Sequence, residues 1–127
     1  MPPAALAPAT ALIAEARRSG DGLAARLADA LEWAQAQLAG ATDEDAEMLA
    51  AVAAVRGDRS TSTARLIELA DALVTLRAAL IGAVGEPLTA QRLGCRFRHL
   101  EGLSLRGRRI VREGRDKTGA VWAVRPR

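Results

Sequence analysis

The sequence predicts a mainly α fold with a small C-terminal β-hairpin, arranged as a winged helix-turn-helix with an N-terminal helical extension. Three observations carry this expectation. Apolar residues recur at helical spacing as far as residue 100. After Gly102 the period changes to two, with a turn-forming stretch between two strand-like runs. Charge is also split along the chain: residues 1–58 sum to about −5, residues 59–87 to about zero and residues 88–127 to about +8. The predicted division is a helical extension over 1–41 and a winged-helix domain over 42–127.

The elements follow in order. Residues 1–9 carry three prolines and are expected to fray. A short helix over 10–19 has Thr10 at its N-cap, and Ser19-Gly20-Asp21-Gly22 breaks it. In the next helix, 22–39, Leu23, Leu27, Ala30, Leu31, Ala34 and Leu38 fall on one stripe with Trp33 at its edge. Gly40 stands where a C-terminal glycine belongs. Thr42-Asp43-Glu44-Asp45 is a capping side chain followed by first-turn acids, so a helix runs from 43 to about Arg56 and stops at Gly57.

Residues 58–62 are polar, and Thr63 is the expected cap of a helix reaching Gly82 or Gly85. Leu66, Leu69, Leu73, Leu76 and Leu80 follow 3-4-3-4 spacing there, just over two heptads. That run fits a core helix, continuous or broken near Asp71, and it also fits a homodimer seam. Gly85-Glu86-Pro87 turns the chain, Thr89 caps a helix over 90–100, and Gly102 ends it. Strands are expected at Leu103–Leu105, Arg108–Glu113 and Ala120–Val124, with residues 114–119 as the hairpin loop.

Composition narrows the function classes. There are 29 alanines and three aromatic residues, Trp33, Phe97 and Trp122, so the core must be built mostly from Leu, Val, Ile and Ala. Such a core is thin, and a homodimer is one way to bury more surface. Cys95 is the single cysteine, which removes an intramolecular disulfide. No stretch approaches 18 uncharged apolar residues and the N-terminus lacks a positive n-region, so the expected setting is the cytoplasm, with no membrane contact.

The chemistry concentrates in the basic part. On a 100° wheel, Ala90, Leu93, Gly94, Phe97 and Leu100 share one arc of helix 90–100, and Gln91, Arg92, Cys95, Arg96, Arg98 and His99 cover the rest. Gly94 is expected to admit a close helix neighbour. Arg and Gln read base edges in the major groove, and Arg also grips phosphate in a bidentate fork. The expected partner is double-stranded DNA. Gln91, Arg92 and Arg96 are placed nearest the bases and Arg98 at the backbone. Arg108, Arg112, Arg115 and Lys117 are placed on phosphates or the minor groove beside the wing. A charged edge hairpin that merely resists aggregation is the plainer alternative for the wing. A helical protein-interaction domain, acting through the acidic N-terminal helices, is the alternative for the whole chain.

No catalytic, cofactor or metal site is expected. Cys95 and His99 lie four apart on one face, but zinc takes three or four protein ligands. Asp43, Glu44, Asp45 and Glu47 fit helix capping better than cation binding.

The segment LTAQRLGCRFRHLEGLSLRGRRIVREGRDKTGAVWAV resembles the winged-helix tail of mobile-element and phage primase/helicase ATPases. Those tails pair a T/N-A-x-x-L-G helix with a G-x-x-[IL]-x-R-x-G strand and a Trp-ended strand. The matching residues are Thr89, Ala90, Leu93, Gly94, Gly107, Ile110, Arg112, Gly114 and Trp122. GDRSTSTARLIELAD resembles the second helix of that domain, and residues 43–56 its first. The resemblance implies DNA binding in a replication-associated or regulatory role, with a replication ATPase as partner. The chain has no G-x-x-x-x-G-K-[ST] phosphate loop, so the ATPase part is expected to be absent and the chain a free-standing or truncated tail. Residues 73–86 look longer than a plain helix-turn-helix requires.

Overall fold

The computed structural model describes residues 21–117 and 119–126. The expected helix over 10–19 and the fraying segment before it lie outside these residues. The described chain is mainly helical with a small three-stranded antiparallel sheet. Its elements are α1 (Asp21–Leu38), α2 (Asp43–Arg56), β1 (Thr61–Ser62), α3 (Thr63–Ala72), α4 (Val74–Val84), α5 (Ala90–Leu100), β2 (Arg108–Asp116) and β3 (Gly119–Pro126). The sheet order is β1-β3-β2.

The helix starts follow side-chain chemistry. Thr42 and Asp45 form a reciprocal capping box on α2. The Asp45 N–H donates to Thr42 Oγ1 (3.2 Å), and the Thr42 N–H donates to Asp45 Oδ2 (2.9 Å). Thr89 accepts from the Arg92 N–H and starts α5. At α3 the cap is Ser62, which accepts from the Arg65 N–H at 3.1 Å, so the expected cap at Thr63 is off by one residue.

The expected helix from 63 to 82 is two helices. Leu73 adopts an extended conformation (φ −123°, ψ 99°) and separates α3 from α4. The break falls two residues past Asp71, and α4 accounts for the extra length noted between 73 and 86. The leucine run is accordingly core rather than seam: Leu66, Leu76 and Leu80 are fully buried within the chain, while Leu73, at the break, is partly exposed.

The core joins Met48, Leu49 and Val52 of α2, Leu66 and Ala70 of α3, Leu76 and Leu80 of α4 and Leu93, Phe97 and Leu100 of α5 to Leu105, Ile110, Trp122 and Val124. Phe97 and Trp122 meet edge to face, with centroids 5.5 Å apart and planes at 62°. These are the largest buried side chains, and their contact fixes α5 against the central strand.

The hairpin is longer than its sequence pattern suggests. β2 and β3 pair as far as Asp116↔Gly119, so the strands take in most of the loop expected over 114–119. The register slips between Arg112 and Gly114, which leaves Glu113 as a bulge, and Gly114 takes φ +143° there. Leu103 and Ser104 form no strand, and Leu105 makes only an isolated bridge to Arg108. The two residues between, Arg106 and Gly107, both have positive φ (53° and 84°), as a primed two-residue turn requires.

Helix α1 also differs from expectation. Its inward face is Asp29, Trp33 and Ala36, not the leucine stripe: Ala36 is buried, whereas Leu31 and Leu38 are 59% and 90% exposed. Trp33 meets the Arg106 guanidinium, whose carbon lies 5.2 Å from the ring centroid. Arg106 also pairs with Asp43 at 2.6 Å. The turn at 106–107 therefore ties α1 and the start of α2 to the beginning of the hairpin. No helix among the described residues is long and apolar enough to cross a membrane.

Candidate nucleic-acid interface

Helix α5 buries Leu93, Phe97 and Leu100 and turns two polar flanks in different directions. One flank faces α4 and α2. Arg92 donates there to the carbonyls of Val84 (3.0 Å) and Glu86 (2.9 Å), capping the C-terminal end of α4. Arg96 reaches Asp45, with Nε donating to Oδ1 at 2.8 Å and Nη2 to Oδ2, and it also donates to the Gly40 carbonyl at 3.3 Å. Asp45 is completely buried. Burial pushes its pKa up, but the hydrogen bonds from Arg96 and the Thr42 backbone outweigh this and hold the carboxyl below its ordinary value. The Arg96 guanidinium is pushed up by its hydrogen bond to Asp45.

These contacts revise two sequence assignments. Arg92 and Arg96 were expected nearest the base edges, yet both guanidinium groups are occupied in holding the fold. Moving Arg96 to a ligand would strand a carboxylate with no water around it.

The other flank faces the hairpin. Gln91, Gly94 and Arg98 of α5, with Ala90, share a groove with Arg112 and Arg115 of β2, Ala120 and Trp122 of β3 and Thr63, the first residue of α3. Arg112 lies opposite Trp122 in the ladder and places its guanidinium carbon 5.2 Å from that ring's centroid. Arg98 Nη2 lies 3.2 Å from Cys95 Sγ. Arg115 stands opposite Ala120 and is exposed, and Lys117 is exposed at the tip. The structure thus brings together Gln91, Arg98, Arg112 and Arg115. It sets Arg108 apart, in a separate cleft at the far end of β2 with Asp29, Asp58, Arg106 and Arg125.

Ion pairing divides the cations in the same way. Among the described residues, Arg65, Arg77, Arg96, Arg106 and Arg125 form the salt bridges. Arg125, on β3, takes the bulged Glu113 and Asp58. None of these bridges includes Arg98, Arg108, Arg109, Arg112, Arg115 or Lys117. These six cations lie on α5, β2 and the hairpin tip, whereas α2 uses Asp45 and Asp43 to hold Arg96 and Arg106.

Sequence reasoning did not single out Trp122 as a support for Arg112, nor Thr63 and Gly94 as the floor of the groove. The signal for Trp122 was its cross-strand position, which the bulge concealed. Gly94 does not admit a tight helix neighbour: an added Cβ would meet only Thr63 Cγ2, at an ordinary 3.8 Å.

Cys95 is exposed on the outer side of α5. His99 Nε2 lies against Gly40, 3.2 Å from where a Cβ there would stand. No group of three or more His, Cys, Asp or Glu among the described residues is placed to hold a metal ion. Compared with family models, curated proteins and solved structures, the chain finds no match.

Proposed function

We propose that this chain binds double-stranded DNA through the hairpin side of α5 and the adjoining hairpin. The observation that carries the reading is a set of cations outside the salt bridges of the described residues: Arg98, Arg112 and Arg115 around one groove, with Arg109 and Lys117 elsewhere on the hairpin. The hairpin's Glu113 is taken by Arg125, and the lining of the groove itself holds no acidic residue. The element order helix–strand–three helices–hairpin from α2 onward and the sheet order β1-β3-β2 support a winged helix, with α5 as the helix presented to DNA and the β2–β3 hairpin as its wing. Helix α4 is an addition to that plan.

Arg92 and Arg96 leave the set of DNA contacts, and Gln91, at the outer N-terminal end of α5, remains the side chain best placed to touch a base edge. With one amide and several guanidinium groups available, the binding is mainly backbone-directed and tolerant of sequence. On the resemblance carried by residues 88–124, the setting is a mobile element or phage, in replication or its control, alongside a replication ATPase.

The test is fluorescence anisotropy of the full chain with a labelled duplex at several salt concentrations. Non-specific binding on the order of 10⁻⁴–10⁻⁶ M at physiological salt is expected, with a log–log salt slope of about −3.6 to −5.4 for about four to six phosphate contacts. Affinity that is flat against salt removes the proposal.

A second reading rests on α1. Leu31 and Leu38 are exposed on the same stripe as Leu23 and Leu27. We propose that this stripe pairs with a second copy of the chain and brings two α5 helices to one duplex, about 34 Å apart. Light scattering at tens of micromolar, on the chain and on Leu31→Glu, tests it. A monomer in both cases rejects it.

A further inference from the structure

We infer that the groove between α5 and the hairpin is a seat for one phosphate group, gripped jointly by Arg98, Arg112 and Arg115. The inference rests on the DNA-binding reading for the source of that phosphate, a backbone phosphodiester. The seat itself stands on the groove's own chemistry.

The lining residues include three arginines, Gln91 and Thr63, and no acidic residue. Three like charges around one concavity repel one another, and no salt bridge among the described residues relieves them. An anion between them turns that repulsion into attraction. Arg112 is held against the Trp122 ring and Arg98 rests on Cys95, so two of the three forks are already ordered before anything binds.

Size selects the ligand class. The groove encloses about 190 Å³, below the roughly 300–1,000 Å³ of sites that engulf whole small molecules. It suits a phosphate group rather than a nucleotide. Its floor is small-chained, with Ala90, Gly94 and Ala120, so an oxyanion can approach the backbone. Thr63 opens α3, and the positive end of that helix's dipole adds to the field of the arginines.

A shared phosphate has a signature that separate contacts lack. Side chains that grip one group are coupled, so their losses do not multiply; side chains on different phosphates act independently. Arg98→Ala and Arg112→Ala should each weaken duplex binding roughly tenfold, as expected for one charge-assisted hydrogen-bonding group. The double variant should fall well short of a hundredfold. A full hundredfold loss places the two arginines on separate phosphates and overturns the seat.

The second arm uses inorganic phosphate alone, followed by ¹H–¹⁵N NMR on the full chain at low ionic strength. Saturable shifts at the amides of Thr63, Gly94, Arg98 and Ala120, abolished in the double variant, are expected. Shifts that grow linearly, or that spread evenly along every basic residue, overturn the seat. If phosphate saturates the groove but no duplex binds, the seat stands, its phosphate comes from another source, and the DNA-binding reading fails. If duplex binds while phosphate leaves the groove unmoved and Arg98→Ala and Arg112→Ala bind as wild type, the seat fails and the DNA-binding reading survives.

Discussion

Arg96 of α5 and Asp45 of α2 form one unit across 51 positions of chain, with the Asp45 carboxylate sealed from solvent and accepting from both the guanidinium and the Thr42 N–H. The pair joins the cap of one helix to the outward flank of another. It accordingly sets where α5 stands relative to α2.

Arg96→Ala should therefore cost stability, about 3 kcal/mol, because it leaves a buried charge half-satisfied. Urea denaturation measures this. Duplex affinity of the folded variant should stay within about twofold of wild type, where loss of a base-reading arginine would cost about 1–3 kcal/mol.

The same pair sets an acid limit. The Asp45 carboxyl is held below its ordinary value in the folded state, so the unfolded chain binds more protons and stability rises with pH through this group. Its contribution is complete above the ordinary carboxylate pKa of about 4 and is lost as pH falls through the lower folded value. Denaturation midpoints measured from pH 6 down to pH 2 should fall less steeply in Asp45→Asn than in wild type.

Phe97→Ala should destabilise by about 3–5 kcal/mol and Leu93→Ala by about 2–5 kcal/mol, since each leaves a cavity in the core. Both residues are completely buried, and Phe97 also loses its edge-to-face contact with Trp122. Thermal or urea unfolding measures both, and Phe97→Leu should recover most of the loss.

Lys117→Ala should lower the salt slope of duplex binding by roughly one unit, with little change in folding, and Arg115→Ala should lower it by less, because Arg98 and Arg112 hold the same phosphate. Arg108→Ala should change it less, because Arg108 sits in the cleft that also holds Asp29 and Asp58. Anisotropy across a salt series distinguishes them.

Gly107→Ala and Gly94→Ala make a matched comparison. At Gly107 the φ of +84° and the Asp29 carboxylate 3.2 Å from the new Cβ both oppose the change. A loss of about 1–2 kcal/mol is expected for the left-handed conformation alone. At Gly94, in mid-helix with ordinary space, alanine should be neutral or stabilising by up to about 1 kcal/mol. Melting curves of the two variants settle the contrast.

How far the chain could be read in advance depended on the range of the interaction concerned. Helix starts at Thr42 and Thr89 were legible because the cap and its target lie three residues apart. The break at Leu73 was legible only as one of two alternatives, near Asp71, because the leucine spacing continues across it and the decision belongs to packing. The full hairpin was hidden by the bulge at Glu113, which throws the alternation out of phase. β1 is two residues long and too short to carry a period. In the site, the polar arc of α5 was visible on a helical wheel. The wheel does not say which part of that arc meets Asp45, the Val84 carbonyl or the hairpin, since those partners come from distant sequence. Hence Gln91 and Arg98 join Arg112 and Arg115, while Arg92 and Arg96 do not.

The strand that occupies the middle of the sheet, β3, is the last element of the described chain. Its position governs the order of events during synthesis. Until residues 119–126 have left the ribosome, β1 has no ladder partner, β2 has no hairpin partner, and the pocket around Phe97 lacks the Trp122 ring. Without β3 the helices can collapse on one another but cannot close, and Phe97 stays open where the Trp122 ring should stand. A chain lacking residues 119–126 would therefore be an unfinished helical cluster rather than a smaller version of the same domain.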